Sequence, residues 1–309
     1  MKYLVTGGAG FIGSNLVAAL VKSGHKVRIL DNFATGRPEN LRGLRSSVEV
    51  IKGDIRDLAT GRRAVKGIKY VFHQAALASV PRSVADPLTS NQVNVDGTLN
   101  MLVAARDEGV ERFMFASSSS VYGDTLVLPK REDMIPSPLS PYAAQKLAGE
   151  HYCRMFFTLY GLQTYALRYF NVFGPRQDPA SQYAAVIPLF LGAIRDGKGP
   201  RIYGDGKQTR DFTFVDDVVA ANLCCCKAPA KHAGGVFNVA CGRRITVNAL
   251  ANGLIKAMGS NVKPVHVPER QGDIRDSQAD STRARKLLGW KPSVDFDEGL
   301  RRTVEWFSM

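Results

Sequence analysis

The sequence has few of the features that mark membrane, secreted or metal-binding proteins. No run of about 18 uncharged apolar residues occurs among its 309 residues, so no membrane partner is expected. The five cysteines form no Cys-x-x-Cys pair and the five histidines no His-Glu-x-x-His spacing, so neither a disulfide framework nor a metal site is predicted. The first residues lack the apolar core of a signal peptide, and we expect a cytoplasmic enzyme.

Acidic residues are also scarce relative to basic ones. The formal net charge is +13 at pH 7, which could attract nucleic acids, acidic lipids or phosphorylated small molecules. The lysines and arginines are scattered along the chain, whereas a nucleic-acid-binding protein usually concentrates them on one element. We therefore expect no nucleic-acid partner, and salt-dependent retention on DNA is the observation that would favour one. A nucleotide substrate would still benefit from the positive field.

The first half of the chain alternates short β-branched runs with helical patterns. Strands are predicted at 2–6, 26–30, 48–52, 70–74, 112–117, 163–169 and 236–239, and helices at 13–23, 60–65, 90–108, 141–160, 216–227, 246–258 and 282–288. This alternation predicts an α/β fold, a doubly wound parallel sheet of the Rossmann type. We expect residues 1–170 to form a cofactor-binding domain to which 215–240 return, and 171–214 with 241–309 to form a smaller α/β substrate lobe.

A glycine-rich turn directly follows the first predicted strand. Its spacing is Gly7-x-x-Gly10-x-x-Gly13, which allows a tight turn and lets backbone N–H groups approach a pyrophosphate at the start of a helix. Asp31 ends the second strand, where a carboxylate accepts both ribose hydroxyls of a dinucleotide and repels a 2′-phosphate. The sequence therefore predicts a dinucleotide site that favours NAD over NADP.

A tyrosine and a lysine lie one helical turn apart, at Tyr142 and Lys146. Residues four apart project from the same face of a helix, and a neighbouring ammonium together with a bound nicotinamide cation would lower the phenol pKa. An apolar strand also runs into the four serines 117–120, at the sheet edge where α/β proteins bind ligands. Together these features predict acid–base chemistry beside the dinucleotide, although Ser117 and Ser120 are as readily explained as polar loop residues.

These motifs together resemble the extended short-chain dehydrogenase/reductase family. They are 6–13 (TGGAGFIG), Asp31-Asn32, 53–55 (GDI), 117–123 (SSSSVYG), the Tyr142–Lys146 pair and 168–171 (RYFN). Within that family the chain is similar to the UDP-hexose 4-epimerases over residues 1 to about 290. The resemblance implies that NAD is bound by Gly7, Gly10, Phe11, Ile12, Gly13, Asp31, Asn32, Phe33, Thr35, Gly36, Asp54, Ile55, Gln74, Ala75, Ala76, Asn94, Tyr142, Lys146 and Phe170.

The same resemblance implies a catalytic set and a substrate set. The catalytic residues would be Tyr142, Lys146 and Ser118. The UDP-sugar would be bound by Ser79, Ser118, Ser119, Tyr142, Asn171, Ala185, Val186, Tyr203, Arg210, Arg270 and Ser277. The implied reaction inverts C4 of UDP-glucose or UDP-galactose through a transient 4-keto sugar. Asn171, Arg210 and Arg270 would hold the diphosphate, and Tyr203 would lie near the uracil.

Alternatives within the family differ in the groups they need. A dehydratase would be expected to carry an Asp-Glu pair beside its serine or threonine, and here Ser119 and Ser120 follow Ser118. A UDP-glucuronate epimerase or decarboxylase needs a cation for the sugar carboxylate, for which Arg82 or Arg176 could serve. A non-catalytic NAD-sensing module would need no Tyr142, Lys146 and Ser118 together.

Two finer expectations also follow from the resemblance. The resemblance implies that a bulky tyrosine at the position of Ser277 would sterically exclude a 2-N-acetyl group. The small serine therefore implies activity on UDP-N-acetylglucosamine and UDP-N-acetylgalactosamine as well. The segments 90–108 and 141–160 resemble the helix pair through which the family forms a two-fold dimer, so a homodimer is expected.

Overall fold

The computed structural model describes residues 2–178, 186–269 and 275–308. The strands are β1 Lys2–Thr6, β2 Lys26–Asp31, β3 Val48–Lys52, β4 Tyr70–His73, β5 Arg112–Ser118, β6 Gln163–Tyr169, β7 Val172–Phe173, β8 Arg201–Tyr203, β9 Thr209–Arg210, β10 Thr213–Phe214, β11 Gly235–Val239, β12 Ile245–Thr246 and β13 Val265–Val267. The helices are α1 Phe11–Lys22, α2 Leu58–Val65, α3 Val80–Ala85, α4 Pro87–Asn91, α5 Gly97–Asp107, α6 Pro141–Tyr160, α7 Val186–Arg195, α8 Val215–Cys225, α9 Val247–Ala257, α10 Thr282–Leu288 and α11 Phe296–Phe307.

Seven parallel strands form the central sheet in the order β11-β6-β5-β4-β1-β2-β3. The chain winds outward from β1 to β3 and then continues from β4 on the other side of β1. The predicted doubly wound α/β fold is thereby confirmed. Because the winding direction changes between β1 and β4, their carboxyl ends leave a crevice that suits a ligand.

Both faces of the sheet are covered by helices, which explains why its central strands are apolar on both sides. One core cluster contains Leu16 of α1 and Val218 of α8, and the other contains Met101 of α5 and Cys153 of α6. Strand β1 is buried from Leu4 onward, as expected for a strand sandwiched between two helical layers. The sheet edge that carries the ligand crevice is therefore supported from both faces.

The predicted helix 90–108 has a more irregular structure. It consists of α4, a π-helical turn at Gln92–Asp96 and then α5. Sequence periodicity does not distinguish a π-helical turn from an ordinary one, since both continue the same helix axis. The segment 80–85, for which no helix was predicted, forms α3, and its N-cap Ser79 accepts a hydrogen bond from the Arg82 N–H.

The segments predicted to form the second lobe contain short two-stranded sheets rather than one continuous sheet. Strand β7 pairs with β10, β8 with β13 and β9 with β12. The core of these segments packs Phe173, Phe190 and Leu250 together with Leu300. Helices α7 and α11 were not predicted. The Asp295 carboxylate caps α11 by accepting the Glu298 N–H, a sequence signal of a helix start that could have revealed it.

Candidate active site

A cavity of about 320 Å³ opens at the carboxyl ends of β1, β2, β4, β5 and β6. It contains most of the predicted cofactor residues. The predicted residues that line it are Gly7, Gly10, Phe11, Ile12, Gly13, Asp31, Asn32, Thr35, Gly36, Asp54, Ile55, Gln74, Ala75, Ala76, Tyr142 and Lys146. We call it the cofactor cavity. It lies in the crevice between β1 and β4 that the topology predicts.

The glycine turn is shaped so tightly that larger residues do not fit. A Cβ on Gly13 would lie 2.1 Å from the Gly7 carbonyl oxygen, and one on Gly7 would lie 2.8 Å from the Ala75 backbone nitrogen. Gly7 also has a positive φ of 67°. Because Gly10 is the N-cap of α1 and has no side chain, the N–H groups of the first helical turn face the cavity uncapped.

Asp31 is held at the end of β2 as a buried carboxylate. Its Oδ2 accepts the Ala9 N–H at 2.8 Å, and its Oδ1 accepts the Phe33 N–H at 2.8 Å. Burial raises its pKa above the usual aspartate value. A Cβ on Gly36 would come within 2.8 Å of Oδ1, so this glycine keeps the carboxylate accessible from the cavity side.

Tyr142 and Lys146 project from α6 into the same cavity, as predicted from their spacing. Ser140 caps the helix by accepting the Ala143 N–H at 3.2 Å, and Pro141 occupies its first position. The Lys146 Nζ lies 5.8 Å from the centre of the Tyr142 ring. The start of α6 thus fixes where the phenol enters the site.

Burial shifts the pKa values of both members of this pair. Burial raises the pKa of Tyr142 to about 12, with an opposing contribution from a hydrogen bond with Ser118. Burial lowers the pKa of Lys146 to about 8. In the protein alone, burial of the phenol therefore outweighs the groups that would lower its pKa. A phenolate here needs a further positive charge, such as that of an oxidised nicotinamide.

Ser118 lies at the end of β5, next to a 3₁₀ turn formed by Ser119–Tyr122. Its Oγ accepts the Ser120 N–H at 3.2 Å and the Ser120 hydroxyl at 2.9 Å. Because both contacts use Ser118 as acceptor, its own O–H stays available to donate. Ser117 lines the cofactor cavity, and its hydroxyl donates to the buried carboxylate of Glu150.

A second cavity, of about 500 Å³, lies in the other lobe, and we call it the lobe cavity. Of the predicted substrate residues, Asn171, Val186, Tyr203 and Arg210 line it. The two cavities adjoin along the chain, since Tyr169 at the end of β6 lines the cofactor cavity and Asn171 lines the lobe cavity.

Other predicted site residues lie outside the lining of these two cavities. Phe33, Asn94 and Phe170 are such cofactor residues, and Ser79, Ser118, Ser119 and Ser277 are such substrate residues. Asn94 is buried and supports the cavity from behind, since its Oδ1 accepts the Leu77 N–H at 2.8 Å. Ala185 and Arg270 lie outside the described residues.

Several residues of both cavities were missed by sequence reasoning. They are Leu30, Ala34, Gly53, Arg56, Leu77, Ala78, Thr89, Val93, Ala116, Ser117 and Tyr169 in the cofactor cavity, and Val172, Phe173, Gln177, Ile187, Leu189, Phe190, Ala193, Arg201, Gln208, Phe212 and Val247 in the lobe cavity. Most are apolar or small and carry no chemical signal in the sequence. Thr89 and Val93 enter the cofactor cavity from the irregular helix before α5.

The cofactor cavity fits NAD by its own chemistry. Uncapped N–H groups at the start of α1 suit a pyrophosphate, and the buried Asp31 carboxylate suits two ribose hydroxyls. Asp54 and the Tyr142–Lys146 pair also line this cavity, and Asp54 Oδ2 accepts the Asn32 amide at 2.8 Å. Among the described residues, no group of three or more His, Cys, Asp or Glu side chains could hold a metal ion.

Comparisons with known proteins agree with this chemistry. The NAD dependent epimerase/dehydratase family model matches residues 3–240. A UDP-glucose 4-epimerase of Mycolicibacterium smegmatis is 45% identical over 99% of this chain and 98% of its own. A UDP-N-acetylglucosamine 4-epimerase from Methanobrevibacter ruminantium, solved with UDP-N-acetylmuramic acid, is 45% identical with a TM-score of 0.94, covering 99% of this chain and 98% of its own.

A third similar protein was solved with the cofactor. The UDP-glucose 4-epimerase of Thermus thermophilus in complex with NAD is 38% identical with a TM-score of 0.90, covering 100% of this chain and 99% of its own. The predicted resemblance and the predicted cofactor are both confirmed by these comparisons. The chain therefore belongs to the NAD dependent epimerase/dehydratase family and is an NAD-dependent epimerase.

Proposed function

We propose that the enzyme inverts C4 of UDP-hexoses, interconverting UDP-glucose with UDP-galactose and their 2-N-acetylated counterparts. The observation that carries this proposal is the junction of the two cavities. Tyr142 and Lys146 lie in the cofactor cavity, and Asn171 and Arg210 lie in the adjoining lobe cavity. This arrangement supports a proposal with acid–base chemistry at one end of the ligand and diphosphate recognition at the other.

Tyr142 acts as the base in the proposed mechanism. Bound NAD supplies the acceptor for the hydrogen that leaves C4 and returns it to the opposite face of the sugar. The Tyr142 phenolate takes the proton from the O4 hydroxyl, directly or through the Ser118 hydroxyl, which leaves a 4-keto sugar. Lys146 supports the phenolate by its positive charge, and the tyrosine returns the proton when the inverted alcohol forms.

Inversion requires a firm grip on the nucleotide and a loose grip on the sugar, since the 4-keto ring must present its other face. Arg210, whose Nη1 also donates to the Thr209 carbonyl at 2.9 Å, presents a guanidinium that suits phosphate oxygens, and Asn171 adds an amide donor to the same cavity. Tyr203, 44% exposed, offers a ring at the lobe cavity that suits the uracil base. Binding energy would thus come mainly from the UDP moiety.

The sugar preference is proposed from Ser277, whose backbone is held in place. The Ser277 N–H donates to the Thr209 carbonyl at 3.1 Å, and the Ala279 N–H donates to the buried Asp211 carboxylate at 3.0 Å. Because the backbone is fixed, the space at this point is set by the side chain. A serine leaves room for a 2-N-acetyl group.

Ser277→Tyr therefore tests the sugar preference. We expect the kcat/KM for N-acetylated UDP-hexoses to fall about 100-fold or more, by steric exclusion, while the value for UDP-glucose changes little. Initial rates with each UDP-sugar measure the ratio, and Ser277→Cys, which keeps a small side chain, serves as the control. An unchanged substrate ratio in the tyrosine variant would refute this role.

A specific feature argues against the glucuronate alternative. Arg176 donates from Nη1 to the Ser14 carbonyl at 2.7 Å, which ties this guanidinium to α1. A sugar carboxylate at C5 would then lack a cation from Arg176. UDP-glucuronate should accordingly be a poor substrate.

We also propose a homodimer formed through α6 and its neighbours. Met155 and Leu159 are four residues apart on α6 and are exposed, as are Val84 on α3 and Leu88 on α4. Such an apolar surface favours association with a second copy. Sedimentation velocity tests it, with Leu159→Glu as the disrupting variant.

A cytoplasmic location also stays a prediction. Among the described residues, no helix has the length and apolar character of a membrane span.

The function itself is tested by incubating the purified protein with each UDP-sugar and separating the C4 epimers. We expect epimerisation without added NAD, because the cofactor is regenerated in each cycle and stays bound. Turnover that depends stoichiometrically on added NAD, or release of a decarboxylated or dehydrated sugar, would contradict the proposal.

A further inference from the structure

A buried ion pair lies directly behind the catalytic helix. Arg168 on β6 donates from Nε to Glu150 Oε1 at 2.8 Å and from Nη2 to Oε2 at 2.7 Å. Both side chains are at least 95% buried. Taking two charges out of water is costly, and such a pair can often be replaced by apolar residues without loss of stability. Its presence next to an active site therefore calls for a reason beyond stability.

The pair is connected to the site through Glu150. Tyr142, Lys146 and Glu150 follow one another at intervals of four residues along α6 and share one face of the helix. Glu150 Oε1 also accepts a hydrogen bond from Ser117, which lines the cofactor cavity together with Lys146. The carboxylate is thus bound from two strands while it neighbours the lysine.

The other groups facing Lys146 add no negative charge. Burial lowers the pKa of His73, on β4, to about 3, so this imidazole is neutral. Burial raises the pKa of the Cys153 thiol, on α6, far above neutrality, so it is uncharged too. From β5, Phe115 presents only an aromatic ring, whose centre lies 5.0 Å from the Lys146 Nζ.

The second charge near Lys146 is the Arg168 guanidinium, which is bound to Glu150. The Arg168 guanidinium stacks at 4.6 Å over the ring of Tyr122, a phenol whose pKa burial raises to about 12 and which stays neutral. Three charges therefore follow in the order Lys146, Glu150 and Arg168, with the anion in the middle. Glu150 favours the charged form of the lysine, and Arg168 partly offsets it.

We infer that Glu150 and Arg168 are positioning residues for Lys146: the carboxylate, one turn further along the same face of α6, keeps the lysine cationic, and the guanidinium together with Ser117 fixes the carboxylate. Lys146 must carry its charge while it is buried, and Glu150 on the same helix face supplies a balancing negative charge. The role of Lys146 in catalysis rests on the proposed function, whereas the electrostatic coupling does not.

The test measures the titration of Lys146 through folding stability, in the absence of substrate. A lysine whose pKa is about 8 in the folded chain and about 10.4 unfolded binds more protons when unfolded between these values, so its contribution to the free energy of unfolding rises with pH there. Urea unfolding from pH 6 to 10 is measured for the protein and for Lys146→Met. The difference between the two curves isolates the lysine.

Three variants, each measured with and without Lys146→Met, change the neighbouring charges. Glu150→Gln should lower, by about one pH unit, the pH at which the Lys146 contribution to the free energy of unfolding begins to rise. Arg168→Met should raise this pH, because only the anion remains. Glu150→Gln/Arg168→Met should fall between Glu150→Gln and the unmodified protein, and it avoids the unpaired buried charge that could prevent a single variant from folding.

The order of the onsets decides the inference. A structural role alone would change the stability of all variants but leave unchanged the pH at which the Lys146 contribution to the free energy of unfolding begins to rise. That result would overturn the proposal. The proposal is supported if the pH of this rise increases in the order Glu150→Gln, double variant, unmodified protein, Arg168→Met. If a single variant does not fold, the comparison of the double variant with the unmodified protein is sufficient. If the shifts appear but no UDP-sugar is epimerised, the coupling stands and the proposed function fails.

Discussion

The cofactor cavity and the lobe cavity adjoin at the end of β6 but are built in different ways. The first is formed at the ends of five parallel strands, by backbone N–H groups, glycines and buried charged side chains such as Asp31 and Lys146. The second is formed by helix α7 and by strands of two or three residues, and its polar lining includes Arg201 and Arg210.

This difference suits the two ligands. A cofactor that stays bound through many turnovers benefits from a closely packed site. In the glycine turn, an added Cβ would overlap backbone atoms. A substrate that enters, turns over its sugar ring and leaves is better held by a few long side chains on smaller elements. We expect substitutions in the first region to affect the chemical step or the cofactor, and those in the second to affect substrate affinity.

The largest expected effect is that of Tyr142→Phe. Loss of the phenol oxygen removes the proposed general base, and we expect kcat to fall about 1,000-fold or more with either epimer as substrate. Rates are measured by separating the C4 epimers, and the NAD content after purification serves as the control because it should be unchanged. Turnover at the normal rate would rule out this residue as the base.

Gly13→Ala should remove the cofactor. Its Cβ would lie 2.1 Å from the Gly7 carbonyl, so the turn must open, and we expect loss of bound NAD together with a destabilisation of about 1–3 kcal/mol. The NAD content after denaturation and the urea midpoint are the two measurements. Retention of NAD at normal stability would mean that the cradle is less rigid than its contacts indicate.

Arg210→Lys tests the other region. A lysine cannot donate two parallel hydrogen bonds to a phosphate, so we expect the KM for UDP-sugars to rise about 10- to 100-fold with an unchanged NAD content. Arg195→Lys, at an exposed arginine that pairs with Asp196, is the matched control and should leave KM unaltered. A fall in kcat at constant KM would contradict the assignment of Arg210 to ground-state binding.

The same contrast explains how much could be predicted from the sequence. The parallel sheet, the glycine turn, Asp31 and the Tyr142–Lys146 pair were predicted because local spacing determines each of them. The Glu150–Arg168 pair was missed, since its partners are 18 residues apart and only the packing of α6 on β6 brings them together. Helix α7 was missed because Pro188 in its first turn reads as a break in an apolar run.

The elevated pKa of Tyr142 could not be predicted either. The four-residue spacing indicates that a lysine is near, but it does not indicate that burial raises the pKa of the phenol to about 12 and lowers that of the lysine to about 8. Burial depends on Phe115 and on the cavity wall, which belong to other elements. Sequence motifs therefore predicted Tyr142 and Lys146 as the reacting groups, whereas the pKa values of these groups depend on packing.

The smallest expected effect comes from a glycine in the second region. Gly192 lies within α7, and a Cβ there would meet no atom within 4 Å, in contrast to Gly13. Because alanine is the better helix former, Gly192→Ala should stabilise the protein by up to about 1 kcal/mol, with kcat and NAD content unchanged. Urea unfolding measures the gain. A loss of stability instead would mean that α7 is as closely packed as the cofactor cradle, and the contrast between the two regions would not hold at this helix.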